Sequence, residues 1–240
     1  MTPGPARLGR SIDEREQALS TFLEAEQEAI SLACLELARA FSRGGTLFVH
    51  GTGAAASDAA HVAVEFMHPV IVGKRALPAL ALANDPTGCS TLERLGRPGD
   101  IALAIVHGPV DSTVAAFLEQ ARARELLTIA LAGADAELRA DRVFAVGSDD
   151  EHVVQEVQET LYHVLWELVH VFFEHPGLLD EACITCGDVA VEARVVAVQG
   201  ATALIEKDGL REEVAVDLVA RVDVGDVVLC HAGVALEKLS

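Results

Sequence analysis

Apolar residues at positions 12, 19, 22, 23, 30, 37 and 41 recur with helical spacing. Ser11-Ile12-Asp13-Glu14 before them reads as a capping box, with Ser11 at N-cap and Glu14 at N3. A first helix is therefore predicted from there to the Gly44-Gly45 stop, with residues 1–10 as a flexible arm. Short apolar runs at 46–50, 77–82, 101–106, 127–131 and 142–146 read as buried strands, and helical patterns at 54–66, 112–124 and 151–174 alternate with them. That alternation predicts an α/β domain: a doubly wound, five-stranded parallel sheet of flavodoxin-like type, covered on both faces. The pattern breaks at His175-Pro176-Gly177. Beyond it, Val-rich runs at 189–198, 202–206, 212–216 and 227–231 are separated by turns at Gln199-Gly200, Lys207-Asp208-Gly209 and Val224-Gly225-Asp226. They predict a small all-β module, an OB-like barrel. The expected organisation is an arm at 1–10, an α/β domain at 11–175, a linker at 176–182 and a barrel domain at 183–240.

Composition narrows the function classes. The chain is 51% hydrophobic but only 4% aromatic, so Ala, Val and Leu must fill its cores, and global disorder is excluded. Its 18 Lys and Arg against 37 Asp and Glu leave a net charge of −19, and both parts are acidic. That argues against nucleic-acid partners and anionic membrane surfaces, which select for a basic face. No run approaches the ~20 apolar residues of a membrane span. Residues 1–10 lack the apolar core of a secretory signal. Five cysteines, an odd and low count, fit free thiols in a reducing cytoplasm.

Candidate chemistry sits in three places. Gly51-Thr52-Gly53 between a strand and a helix is where an α/β sheet binds an anion, on the N–H groups at the helix start, although any strand–helix turn can use Gly. In Asp58-x-x-His61-x-x-x-Glu65, His61 and Glu65 are four apart and share one helix face. Imidazole and carboxylate there suit a divalent metal or proton transfer, and equally a solvated ion pair. Cys183-Ile184-Thr185-Cys186 has the spacing of zinc knuckles and redox dithiols. A closed zinc site needs two more ligands, and Cys230 and His231, adjacent on a strand, point to opposite faces. Cys34 reads as a buried small hydrophobe, and Tyr162, Leu165, Trp166 and Val169 as core or subunit interface.

The segment GTGAAASDAAHVAVEF resembles the corresponding segment of sedoheptulose-7-phosphate isomerases, members of the sugar isomerase (SIS) fold. The resemblance runs on through LPALAL, RLGRPGD at 94–100 and SDDEHVVQEVQETLYHVLWELV at 148–169, and covers about residues 11–174. It implies a metal and acid–base site of His61, Glu65, Gln155 and His163, holding a divalent metal, zinc by preference. For aldose–ketose isomerisation it implies Glu65 as base and His163 as acid. It also implies a homotetramer. Gln155 and His163 are eight residues apart, about 12 Å of rise and 80° of rotation on one helix, so one of them is expected to reach the ion from a neighbouring chain. The phosphate side departs from the family: Ala55, Val106, Gly108 and Asp111 stand where the family has hydroxyls. The remaining ligand-binding candidates are Gly51, Thr52, Gly53, Ser57, His107 and Ser112. A small-molecule ligand other than a heptose phosphate is expected.

The back of the chain, CITCGDVAVEARVVAV and VGDVVLCHAGVALEKL, resembles the HypC/HupF hydrogenase assembly chaperones over about residues 183–239. That resemblance implies transient handling of an iron unit with cyanide and CO ligands, a HypD-like maturation protein as partner, and delivery to the large-subunit precursor of nickel–iron hydrogenase. The family's Cys and His fall at Cys183 and His231, and Cys186 is a second thiol candidate. The combined expectation is a cytoplasmic hydrogenase maturation factor. The alternatives are an active sugar-phosphate isomerase with an appended chaperone module, and a non-catalytic oligomerising or ligand-sensing scaffold.

Overall fold

A computed structural model of the chain describes residues 5–69, 71–82, 85, 87–134, 136–175, 179, 190–207, 209–219 and 221–239. It divides into two compact units, 1–170 and 171–240. The first unit contains α1 (Pro5–Ser42), β1 (Leu47–Gly51), α2 (Ala55–Met67), β2 (Ala79–Ala81), α3 (Cys89–Leu95), β3 (Ile101–Ile105), α4 (Ser112–Ala123), β4 (Leu127–Gly133) and β5 (Arg142–Val146). The last helix, α5 (Glu151–Glu174), closes it. All five strands are parallel, in the order β2-β1-β3-β4-β5. This is the doubly wound, flavodoxin-like sheet that the hydrophobic pattern predicts.

The two faces of the sheet are built differently because successive side chains alternate across it. Leu47, Leu103 and Ile129 share one face with Leu37 of α1, Phe66 of α2 and Tyr162 and Leu165 of α5. Phe48, Ala102, Ala104 and Ala130 share the other with Leu92 of α3 and Val114, Phe117 and Leu118 of α4. Small strand residues there face large helix residues. Asp100 ties the strand entrances together: its carboxylate accepts from the N–H groups of Thr46 and Arg97, each at 2.8 Å. The Arg94–Asp100 motif therefore serves the scaffold, at the end of the sheet away from the ligand crevice.

Some local expectations are revised. The first helix begins at Pro5 rather than at a cap on Ser11, so residues 5–10 are helical and not an arm. Ser11 lies inside the helix, where its hydroxyl accepts from Arg15 Nη1 at 2.8 Å. Helix α3 occupies a stretch that reads as loop, and β2 shrinks to three residues.

The second unit is a closed barrel of β6 (Val191–Gln199), β7 (Thr202–Lys207), β8 (Leu210–Ala215), β9 (Val227–His231) and β10 (Val234–Lys238), in the order β10-β8-β7-β6-β9. Its pairings are antiparallel except for the short parallel closure of β10 on β8. Ala193, Val195, Ala203, Ile205, Val214, Val228, Cys230 and Ala235 form its core. A tight turn at Ala232-Gly233, both with positive φ (45° and 79°), makes the β9–β10 hairpin. This fifth strand is an addition to the four that the Val-rich runs predict.

Candidate active site at the α2–α5 seam

Helix α2 follows the turn after β1 and presents Asp58, His61 and Glu65, spaced i, i+3 and i+7, to one flank. Helix α5 presents Gln155, Tyr162 and His163 to them. Gln155 Nε2 donates to both carboxylate oxygens of Asp58, at 3.3 and 3.2 Å. Tyr162 Oη lies 3.0 Å from His61 Nδ1. The His61 ring stands edge-on to the His163 ring with centroids 5.2 Å apart. His61 Nε2 lies 3.4 Å from Glu65 Oε1. One ligand atom each from His61, Glu65 and His163 falls within 4.8 Å of the others.

This geometry suits a divalent ion. Two ligands at zinc distances of about 2.0–2.1 Å stand about 3.3 Å apart in a tetrahedron, close to the His61–Glu65 separation. The phenol matters too. If the His61 Nδ1–H donates to Tyr162, Nε2 is left with a free lone pair facing Glu65 and His163, the tautomer a metal requires. Tyr162 is 1% exposed. Burial, with Glu159, Asp58 and Glu65 adding, raises its pKa well above the ordinary phenol value, so it stays protonated.

The structure thus gathers His61, Glu65 and His163 within one chain, with no neighbouring subunit needed for these three. Gln155 is turned elsewhere: its amide is engaged by Asp58, one rung up the seam. Asp58 is itself buried, and its Oδ2 lies 2.8 Å from His107 Nε2 in a contact toward which the ring N–H is not aimed. Buried Gln158 donates to the Val106 carbonyl at 3.0 Å and holds the end of β3 against α5.

The second part of the site is the crevice beyond the carboxyl ends of β1 and β3, where the strand order reverses and doubly wound folds bind ligands. Gly51-Thr52-Gly53 forms its turn; a side chain on Gly51 would strike the Ala55 carbonyl, so only Gly fits. The first N–H groups of α2 are used internally, with Ala55, Ala56 and Ser57 donating to the carbonyls of Thr52, Gly53 and Ala54. The Ser57 hydroxyl bonds the Ala54 carbonyl at 2.7 Å, so it is not turned toward a ligand. Ser112 is exposed at the start of α4. Asp111 caps that helix by accepting from Thr113 N–H at 2.9 Å. His107 is buried and lines an adjacent cleft of about 610 Å³ with Glu137, Asp149 and Glu151.

His50, at the end of β1, lies under this turn, 2% exposed, with its ring centroid 5.0 Å from that of Phe117. Burial lowers its pKa below the ordinary imidazole value, opposed by Asp85 and Asp111, so the ring is neutral at neutral pH. Asp58 and His50 carry no site role in the sequence reading, and Tyr162 only that of core or subunit interface. The signals were available: Asp58 shares the heptad-like face of His61 and Glu65, Tyr162 precedes His163, and His50 is a polar residue ending an apolar strand.

In the barrel, Cys230 points inward and is fully buried, and His231 on the opposite side of β9 is 4% exposed. Burial first, and then Glu212, push the Cys230 thiol up to about 12, so it is an inert core residue. Cys183 and Cys186 lie outside the described residues.

Comparison with known proteins covers both units. The SIS domain model matches residues 12–133 and the HupF/HypC family model matches residues 189–240. Phosphoheptose isomerase from Solidesulfovibrio magneticus is 30% identical over 180 residues, 68% of this chain and 88% of that protein. The one from Roseiflexus sp. is 30% identical over 178 residues, 66% of this chain and 90% of the relative. Among solved structures, phosphoheptose isomerase from Francisella tularensis aligns with TM-score 0.64 at 22% identity, over 69% of this chain and 97% of that one. GmhA from Neisseria gonorrhoeae gives 0.60 at 22% identity, over 68% and 97%. These two show the same fold as the first unit. The chain belongs to the phosphoheptose isomerase family of SIS-domain proteins, and it carries a HupF/HypC-family domain behind that fold.

Proposed function

We propose that this chain is a maturation factor for nickel–iron hydrogenase, in which the barrel handles the iron unit and docks a HypD-like protein and the large-subunit precursor. The observation that carries this reading is the HupF/HypC match over residues 189–240, which includes His231 on a closed barrel. In it, Cys183 as thiolate and His231 as imidazole are the donors for the iron cargo, a soft-ligand pair suited to low-spin iron. The SIS domain binds a small sugar-like ligand beside a divalent ion, zinc by preference, held by His61, Glu65 and His163. Bound there, the ion would polarise a carbonyl oxygen of the ligand. The chain's own residues supply the rest: Glu65 accepts a proton, His163 returns one, and Tyr162 orients His61. The cytoplasm is the compartment this role requires.

Complementation of a strain lacking the gene tests the proposal. Cys183→Ala and His231→Ala are each expected to abolish hydrogenase activity while the protein accumulates folded. Hydrogenase activity at the wild-type level with both substitutions present overturns it. The seam cluster favours a second reading, a sugar-phosphate isomerase with the barrel appended, and the 30% identical relatives support it. Zinc-dependent turnover of sedoheptulose 7-phosphate by purified protein, lost in Glu65→Gln, would establish that reading.

A further inference from the structure

We propose that Asp58 is a positioning residue for the α2–α5 seam. It fixes the amide of Gln155 so that the carbonyl oxygen, and not the NH2 group, is what that side chain offers to a divalent ion in the seam. This rests on the reading that the seam holds such an ion.

Asp58 is a buried carboxylate, 6% exposed, to which the proposed chemistry gives no task. A carboxylate taken out of water has to be answered by donors. Gln155 Nε2 answers both of its oxygens, at 3.3 and 3.2 Å. On its other side, Oδ2 stands 2.8 Å from His107 Nε2, just beyond the end of β3. The carboxylate is thus held between two elements, and its place does not depend on α2 alone.

The two ends of a glutamine amide are chemically unlike. The NH2 group only donates, and the carbonyl oxygen alone can ligate a cation. Left to itself, the side chain can turn either end to a neighbour. An ionised carboxylate accepts and never donates, so Asp58 admits only the NH2 end. The carbonyl oxygen, Oε1, is left over and makes no hydrogen bond among the described residues. An asparagine at position 58 would present a donor and an acceptor, and would accept either end of the amide.

The placement suits this task. Asp58 lies three residues before His61 on α2 and shares its flank, so the Asp58–Gln155 pair is the rung next to the one formed by His61 and Tyr162. Orienting partners behind metal ligands act in this way, by fixing which atom faces the ion.

A double-mutant cycle on the purified full chain tests this, with zinc affinity measured by competition with a chromogenic chelator. Asp58→Asn and Gln155→Leu are each expected to weaken zinc by about tenfold or more. Together they are expected to weaken it no further than Gln155→Leu alone, because Asp58 acts through an amide that is then missing. Cobalt(II) in place of zinc adds a signature: the two single variants should share one altered visible spectrum. Additive losses overturn the inference and leave the ion reading intact, since a carboxylate acting by its field or its packing would count whether or not Gln155 is present. Wild-type affinity in Asp58→Asn overturns it equally. If Asp58→Asn does not fold, Gln155→Glu decides. A carboxylate is ordinarily the stronger zinc ligand, but beside Asp58 it meets a like charge, so weaker zinc is expected and tighter zinc overturns the inference. Absence of zinc binding by the wild-type chain overturns the reading of the seam itself, and this inference with it.

Discussion

Tyr162 and His61 meet at 3.0 Å, so phenol and ring must settle between them which one donates. Metal binding through His61 Nε2 requires the ring to donate from Nδ1, and the phenol oxygen to accept. Tyr162→Phe keeps the buried aromatic packing and removes that acceptor. Loss of such an orienting partner costs about 10–100-fold in metal affinity, so Tyr162→Phe is expected to weaken zinc in that range, measured by competition with a chromogenic chelator, while its melting temperature stays near wild type. Unchanged affinity would remove Tyr162 from the site. His61, Glu65 and His163 were legible in the sequence from helical spacing and family resemblance. Asp58, Tyr162 and His50 were not, because their roles depend on which helices and strand ends meet. A tyrosine within an apolar run reads as core until its hydroxyl is seen to face an imidazole.

Among the elements, the long helices were legible because each repeats its pattern over many residues, and the five strands of the sheet because each is a short apolar run between helical patterns. Helix α3 was not, being seven residues long and lacking a cap where a cap is sought. Its N-cap position is Gly88, with φ of 67°, and the capping carboxylate comes from Asp85 three residues earlier. Strand β10 was hidden for a related reason: of Val234–Lys238, only Ala235 is buried, and a register shift follows it. Asp85 yields a prediction at this scale. Burial pushes its carboxyl up, but hydrogen bonds from Ser90, Thr91 and Thr87 outweigh it and hold the pKa well below the usual carboxylate range. The carboxylate therefore stabilises the fold above its unfolded value of about 4 and loses that contribution as pH falls through the lower folded value. Asp85→Asn is expected to lower the urea midpoint most at neutral pH, with the gap to wild type closing on acidification below about pH 4. A gap that does not change with pH would show that the loop is held by something other than the ionised group.

For the whole molecule, the charge of −19 and the open edge of the sheet pull in opposite directions. β2 is an edge strand, and Val64, Met67, Ile71, Val72 and Leu80 around it are exposed. Assembly of four copies would cover such apolar surface against strong mutual repulsion between chains. Light scattering is expected to give about 100 kDa, a tetramer, in moderate salt, with dissociation as ionic strength is lowered. A monomeric mass at every salt concentration would exclude this assembly.

The seam between α2 and α5 has a consequence in the order of folding. Its hydrogen bonds join residues 97 and 101 positions apart along the chain. The sheet pairings that precede it, such as Leu47 with Ile101, also span distant residues. Contacts of such separation form slowly, because a long loop must close before any of them can form. His61 and Glu65 emerge from the ribosome long before Tyr162 and His163, and remain an ordinary helix face until α5 docks. The cluster therefore cannot assemble until α5 has been made.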